Sequence, residues 1–264
     1  MQNKVANKNI IITGASSGIG ERIAWHIAEN GGVPIMLARS IDKLEKQQKL
    51  MEKELNAKSF AYKVNLQNSS EIDSVIEGIL LKHEKIDGLI NNAGTGMFAY
   101  VNDMAWPDVE GMFQLNVLAL MRTTKLMLPH FLDNEEAHII NIASQAGKIS
   151  TPKTAAYAAT KHAVLGFTNA LRLEIKQEKI HVTTVNLGPV RTNFFKEADP
   201  NGTYQKNVDR YMLDPDMVAA KIVQHLFTNK REINLPYWME LGSKLYHLFP
   251  QLMERLLKKQ FDQK

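Results

Sequence analysis

Short apolar runs alternate along the chain with longer stretches of helical periodicity. Asn9–Thr13, Val33–Ala38, Ser59–Val64, Ile86–Asn91, His138–Ile142 and Val182–Leu187 read as strands, several of them with almost no polar interruption. Near-continuous apolar runs of that length fit strands covered on both faces. Between them, Gly18–Asn30, Ile41–Leu55, Ser70–His83, Trp106–Phe131 and Thr154–Gln177 have the length and spacing of helices. A helix over Pro215–Thr228 and a short strand over Glu232–Leu235 extend the series. Strands alternating with crossover helices predict parallel pairing. No repeat or low-complexity linker interrupts the pattern. The expected fold is one α/β domain over residues 1–264, a single-domain Rossmann fold: a doubly wound parallel β-sheet with helices on both faces.

Two segments stand outside the alternation. Residues 192–211 combine Asn193, Asp199, Pro200, Asn201 and Gly202 with Phe194, Phe195, Tyr204 and Tyr211. They read as a long substrate loop, and such loops serve as lids. In the tail, 241–264, Leu241, Leu245, Leu248, Phe249, Leu252, Met253, Leu256 and Leu257 recur at helical spacing, interrupted at Pro250. Lys244, Arg255, Lys258 and Lys259 lie beside them. Three readings of this tail compete: an oligomer contact, a cover over the substrate mouth, or a membrane-surface helix. Packing within an oligomer or against the body is the simplest.

Composition narrows the chemistry. None of the 264 residues is a cysteine, which excludes disulfides, thiolate metal sites and cysteine nucleophiles. Lys plus Arg is 32 against 28 for Asp plus Glu, and a net charge of +4 is too slight for a nucleic-acid footprint. The histidines are scattered, so no metal is expected. No apolar stretch is long enough to span a bilayer. Met1–Asn9 lacks the apolar core of a signal peptide, and a cytoplasmic protein is expected.

The first strand runs into Thr13-Gly14-Ala15-Ser16-Ser17-Gly18-Ile19-Gly20, and a helix follows at once. Unpaired N–H groups at a helix start bind phosphate oxygens, and glycine allows close backbone approach. Gly14, Ser16, Ser17, Gly18, Ile19 and Gly20 are therefore candidate contacts to a dinucleotide pyrophosphate. A bare strand–helix turn is the alternative. An NAD site usually carries an acid after the second strand for the ribose 2′-OH. Here the strand ends Ala38-Arg39-Ser40. Arg39 could fork onto a 2′-phosphate and Ser40 could add a hydroxyl, which predicts NADP(H) in preference to NAD(H). A surface arginine beginning the next helix is the competing reading.

Tyr157 and Lys161 are four residues apart, on one face of a predicted helix. A neighbouring ammonium favours phenolate and should lower the tyrosine pKa toward the working pH. Ser144 closes an apolar strand, where a hydroxyl faces the ligand crevice of an open α/β sheet. Asn116 is a polar residue in an apolar helical stretch; it needs a partner, either an ordered water or a core neighbour. Met97, Phe98, Gln145, Gly188, Phe194, Phe195, Tyr204 and Tyr211 are candidates for the substrate pocket, with Ser144 and Tyr157 at its reacting end. Their apolar character suggests a hydrophobic ketone, aldehyde or secondary alcohol. Loop packing would account for the aromatics equally well.

Taken together, the chain resembles the classical short-chain dehydrogenase/reductase family from Lys8 to about Leu235. The resemblance rests on Thr13–Gly20, Asn91-Asn92-Ala93-Gly94, Asn116, Ser144, Tyr157, Lys161 and Leu187-Gly188-Pro189-Val190-Arg191-Thr192. It implies hydride transfer between a nicotinamide and a carbonyl or alcohol. Tyr157 would be the general acid/base, with Lys161 lowering its pKa and holding the nicotinamide ribose. Ser144 would hold the substrate oxygen, and Asn116 would support a water in a proton relay. Asn92, Ala93 and Gly94 would line the cofactor, while Pro189, Val190 and Thr192 would meet its nicotinamide end. Arg39 matches the NADP-preferring pattern. One departure is Val64-Asn65-Leu66, where the family usually has an Asp contacting adenine; Asn65 and Leu66 are expected to take that end. The Tyr157–Lys161 spacing speaks against the enoyl-reductase branch. Family membership also implies a homodimer or homotetramer. A regulatory NADP(H) binder without turnover, and an epimerase or dehydratase sharing the tyrosine and lysine, remain the alternatives.

Overall fold

A computed structural model describes residues 4–176 and 179–256. Seven strands form one parallel sheet: β1 Asn9–Thr13, β2 Val33–Ala38, β3 Phe60–Lys63, β4 Gly88–Asn91, β5 Ala137–Ile142, β6 Ile180–Leu187 and β7 Glu232–Leu235. Their spatial order is β3-β2-β1-β4-β5-β6-β7. The helices are α1 Gly18–Glu29, α2 Ile41–Leu55, α3 Ser69–Lys82, α4 Trp106–Phe113, α5 Ala119–Leu132, α6 Ala155–Glu174, α7 Phe194–Ala198, α8 Thr203–Val208, α9 Pro215–Gln224, α10 Tyr237–Leu248 and α11 Pro250–Leu256.

The isoleucine run of β1 shows why the strands carry no polar alternation. Ile10 and Ile12 pack against Ile23, Ile27, Val218 and Ile222 of α1 and α9. Ile11, between them, packs on the opposite face with Ile72, Ile76, Met127 and Phe131 of α3 and α5. Successive side chains point to opposite faces, and both faces are covered. Sequence signals also set local boundaries. Asn68 caps α3 by accepting from the Ser70 and Glu71 amides at 3.0 and 3.3 Å. Asp214 caps α9 in the same way, and Pro215 supplies its first residue.

Three expectations change. Trp106–Phe131 is not one regular helix, because a π-helical turn, Gln114–Leu118, separates α4 from α5. Residues 192–211 are not an open loop. They fold into α7, α8 and a short 3-10 turn, Asp209–Tyr211, because their aromatics find one another: Phe98 packs on Phe194, Phe195 and Tyr204 with centroids 6.4, 6.3 and 5.2 Å apart. The tail helix starts earlier than Leu241, at Tyr237. Gln177, Leu257, Lys258, Lys259 and Phe261 lie outside the described residues.

The polar groups at the centre of the sheet form paired networks. Asn91 donates to Thr124 and Asn141 at 3.0 and 2.9 Å, and Asn141 donates to Thr168 at 2.9 Å, so β4, β5, α5 and α6 are tied by one chain. His138 on β5 is fully buried. Its Nδ1 accepts from the Phe227 amide at 2.8 Å, which leaves Nε2 to donate to Thr183 at 2.9 Å. Burial, then the neighbouring His181, lowers its pKa to about 3.

The unfolded chain takes up this proton near pH 6.5 and the folded one does not. The proton therefore favours unfolding, and stability should fall as pH drops from about 6.5 toward 3. Urea unfolding across that range should show the slope in the wild type and a flatter one in His138→Gln; equal slopes would remove His138 as its source.

Candidate active site

The strand order reverses between β1 and β4, the place where open α/β sheets bind ligands beyond their carboxyl ends. There the Thr13 hydroxyl accepts from the Asn92 and Ala93 amides at 3.0 and 3.1 Å. The Asn92 side chain returns the contact, donating to the carbonyls of Thr13 and Gly14 at 3.0 and 3.3 Å. The turn leaves no room for side chains. Gly14 has φ +69°, and a Cβ there would lie 2.8 Å from the Ala93 Cα. A Cβ on Gly20 would lie 2.5 Å from both Asn92 Nδ2 and the Gly14 oxygen.

This turn floors a cleft of about 290 Å³. Its walls include Gly14, Ser16, Ser17, Gly18 and Ile19 on one side and Asn92, Ala93 and Gly94 on another, with Arg39, Ser40, Asn65 and Leu66 along its length. Thr192 completes the set of expected residues that line it, while Gly20 lies beneath the turn. Ser17 stands at the α1 N-cap but makes no side-chain capping bond. The first amides of α1 thus remain for a ligand, which fits a pyrophosphate. Arg39 and Ser40 are exposed at the end of β2. Asn65 uses its side-chain oxygen to accept the Gln67 amide at 3.1 Å. Gln67, Leu115, Asn193 and Glu197 also line the cleft and were not expected there. No periodicity or spacing marks them; only the fold brings them in.

The cleft joins a larger cavity of about 570 Å³, sharing Ile19, Asn92, Gly94, Thr192 and Phe194 with it. Of the residues named from the sequence, Ser144, Gln145, Tyr157, Phe98, Gly188, Phe194, Phe195, Tyr204 and Tyr211 line this cavity, together with the cofactor candidates Lys161, Pro189 and Val190. Met97 is a correction: it is absent from the wall. The chain is pinned one residue later, where the Phe98 amide donates to Ala198 at 2.8 Å and the Phe98 ring meets Tyr157 at 5.9 Å. Trp238, Met239 and Gly242 of α10 form a further wall; Gly242 lies in the tail, one reading of which was a cover over the substrate mouth, while Trp238 and Met239 precede it.

Tyr157 and Lys161 share one face of α6, and both are buried. The Lys161 ammonium lies 5.9 Å from the Tyr157 ring centroid and donates to the Ile142 carbonyl at 3.1 Å. Burial pushes the Tyr157 phenol up to about 12, against a hydrogen bond with Ser144 that pulls it down. Burial also pulls Lys161 down to about 8. The expected depression of the phenol is thus reversed. Desolvation disfavours either charge, and the ammonium is engaged with a carbonyl. The Ser144 hydroxyl donates to the Leu187 carbonyl at 3.2 Å and accepts the Ala146 amide at 3.1 Å, which holds it at the end of β5.

Asn116 lies in the π-helical turn, fully buried and off the cavity wall. Its oxygen accepts the Thr95 amide at 2.8 Å. Its amide donates to the Thr95 carbonyl at 2.8 Å and to Thr160 at 3.0 Å. The extra residue of the π turn carries this side chain across to the β4 loop and to α6.

A Rossmann sheet with a glycine turn at its switch point, opening into a pocket that holds Tyr157, Lys161 and Ser144, defines a dinucleotide-dependent oxidoreductase. The short chain dehydrogenase family model matches residues 8–202, and the chain belongs to that family, whose members are oxidoreductases acting on alcohol and carbonyl groups. It is 28% identical over 98% of its length to the uncharacterized oxidoreductase YbbO of Escherichia coli, covering 97% of that protein. It is 35% identical to the NADP-dependent 3-hydroxy acid dehydrogenase of Schizosaccharomyces pombe, over 73% of this chain and 75% of that one. The fold matches a short chain dehydrogenase/reductase of Burkholderia phymatum in complex with NAD with TM-score 0.86 and 21% identity, covering 94% and 96% of the two chains.

Gly14→Ala tests the turn. A left-handed alanine costs about 1–2 kcal/mol before any clash, and here the added Cβ meets backbone. The variant should fold with a lowered melting temperature and bind NADPH at least about ten-fold more weakly. Unchanged affinity by fluorescence titration would show that the turn does not hold the phosphates.

Proposed function

We propose that the protein is an NADP(H)-preferring oxidoreductase of apolar ketones, aldehydes or secondary alcohols, with Tyr157 as its general acid/base. The observation that carries this reading is the junction of a glycine-floored cleft with an aromatic cavity holding Tyr157, Ser144 and Lys161.

The turn from Gly14 to Gly20 would hold the pyrophosphate, Arg39 and Ser40 a 2′-phosphate, and Asn65 and Leu66 the adenine end. Asn92, Ala93 and Gly94 would line the middle, Lys161 the nicotinamide ribose, and Pro189, Val190 and Thr192 the nicotinamide end. When bound, the nicotinamide supplies a hydride to a carbonyl carbon or accepts one from a carbinol carbon.

Tyr157 gives its phenolic proton to the substrate oxygen during reduction and recovers it in the reverse direction. Burial keeps the phenol protonated, so the proton that reduction takes up is in place. Ser144 would give that oxygen a second hydrogen bond by turning its one proton from the Leu187 carbonyl, so charge developing there meets nearby donors. Lys161 stabilises the phenolate left behind, since a charge appearing on Tyr157 favours the ammonium. Asn116 acts as a positioning residue, fixing Thr95 and Thr160 beside Lys161. The cavity wall of Phe98, Phe194, Phe195, Tyr211 and Trp238 favours an apolar substrate. Association of copies belongs to the same reading: Trp106 on α4 and Met121 and Leu132 on α5 leave apolar surface exposed.

Tyr157→Phe should reduce turnover by about 10²–10⁴-fold while NADPH still binds. The assay is NADPH absorbance loss against a panel of apolar ketones and aldehydes. Activity retained in the variant overturns the role of the phenol. Tight NADPH binding by the wild type with no oxidation across the panel favours a regulatory binder instead.

Arg39→Asp removes the charge meant for the 2′-phosphate. Lost charge-assisted hydrogen bonds are worth about 1.5–3 kcal/mol, so NADPH affinity should fall by about ten-fold or more while NADH affinity holds or rises. Equal losses for both cofactors would refute the preference.

A further inference from the structure

The helix α10 is amphipathic in the wrong sense for a helix docked on a core. Its buried residues are Glu240 and Ser243, both polar. Glu240 accepts from Lys148 at 2.5 Å, and Lys148 also reaches Glu232 at 2.7 Å. This ion cluster seats the helix on β7 and on the turn that follows β5. Its apolar stripe is thereby turned outward. Trp238, Leu241, Leu245 and Leu248 recur three, four and three residues apart, on one face, and are 54, 48, 50 and 69% exposed. Beyond Pro250 the pattern continues on α11, where Leu252 and Leu256 are exposed, and Tyr246 donates to Glu254 at 2.9 Å to link the two helices.

Charge distinguishes the occupants of such a face. Lys244 and Arg255 are exposed beside the stripe, Lys244 at 3.5 Å from the buried Glu240 and Arg255 next to Glu254 in sequence, and the sequence beyond α11 adds Lys258, Lys259 and Lys264 against Asp262. A symmetric contact with a second copy would bring this basic set against itself, whereas an anionic surface complements it. Exposed Trp238, Tyr237 and Phe249 add aromatic rings of the kind that settle at a membrane–water boundary. No described helix is long and apolar enough to cross a membrane. An apolar-faced helix pair that cannot span, followed in sequence by a basic stretch, suits the headgroup plane of an anionic membrane.

We propose that α10 and α11 dock the protein on an anionic bilayer surface. The docking does not depend on the reaction assigned above. Where that reaction holds, its geometry gives the docking a use. Met239 and Gly242 wall the substrate cavity and Trp238 belongs to both that wall and the outward stripe, so the cavity lies within one helix thickness, about 10 Å, of the lipid. An apolar ketone or alcohol dissolved in the membrane is then the matching substrate class.

The test is co-sedimentation of the full chain with vesicles of phosphatidylcholine containing phosphatidylserine, and with phosphatidylcholine alone. The wild type should pellet with the anionic vesicles, and high salt should release most of it. Each basic side chain near such a surface contributes about five-fold to partitioning, so Lys244→Glu with Arg255→Glu should weaken binding by about 25-fold or more. Leu241→Ser, Leu245→Ser and Leu248→Ser combined should abolish it, with NADPH binding and circular dichroism unchanged as evidence of folding. No pelleting of the wild type, or an oligomer in sedimentation velocity that the leucine variant splits while vesicles bind neither protein, would overturn the proposal.

Discussion

The cleft depends on how closely two stretches of backbone approach at the end of β1. Asn92 bridges the Thr13 and Gly14 carbonyls while the Thr13 hydroxyl takes two amides in return. That exchange fixes the loop after β4 against the glycine turn. It is available only because Gly14 and Gly20 carry no Cβ, since either would strike Ala93 or Asn92. The glycines therefore do more than bend the chain. They let the first and fourth strands close their carboxyl ends into one wall, and every other part of the site is hung from that wall.

From the wall outward, the site is ordered by buried polar contacts rather than by surface charge. Asn91, Asn141, Thr124 and Thr168 tie the sheet to α5 and α6, and α6 carries Tyr157 and Lys161. Asn116 adds a second tie, from the π turn to Thr95 and Thr160. A fully satisfied network of this kind fixes a unique arrangement, since any shift would strand a buried donor or acceptor. The same dryness sets the electrostatics. Tyr157 and Lys161 are both pushed toward their neutral forms by burial. Neither side chain is charged at little cost here, so each new charge in the pocket calls for a partner.

The sheet was legible because parallel strands covered on both faces must be apolar throughout, as in Asn9–Thr13 and His138–Ile142. The glycine turn and the Tyr157–Lys161 spacing were legible because each expresses a local requirement within a few residues. Tertiary consequences were not. The π turn at Gln114–Leu118 breaks a periodicity that reads as continuous, because its extra residue answers a distant demand from Thr95. Residues 192–211 look like a loop by composition, yet Phe194, Phe195 and Tyr204 build a small aromatic core with Phe98, a residue far away in the chain. Met97 and Phe98 were indistinguishable by residue type, and a backbone bond to Ala198 decides between them. Gln67, Leu115 and Trp238 enter the site by topology alone.

Helical spacing in the tail announced an apolar stripe but not its direction. Direction follows from the ion cluster. Lys148 follows the 3-10 turn Gln145–Gly147 that comes after β5 and is mostly buried, so its ammonium requires carboxylates. Burial alone would raise the Glu232 carboxyl, yet the hydrogen bond and charge of Lys148 outweigh it and hold Glu232 below the usual range. Glu240 supplies the second carboxylate from α10, and a buried carboxylate without that partner would be severely unfavourable. Glu240 must therefore face inward, and on a helix the residues opposite it must face out. The leucines are exposed because a glutamate is buried, and the same rotation brings Met239 and Gly242 to the cavity. One polar pair thus determines both what the substrate touches and what the surface offers to its surroundings.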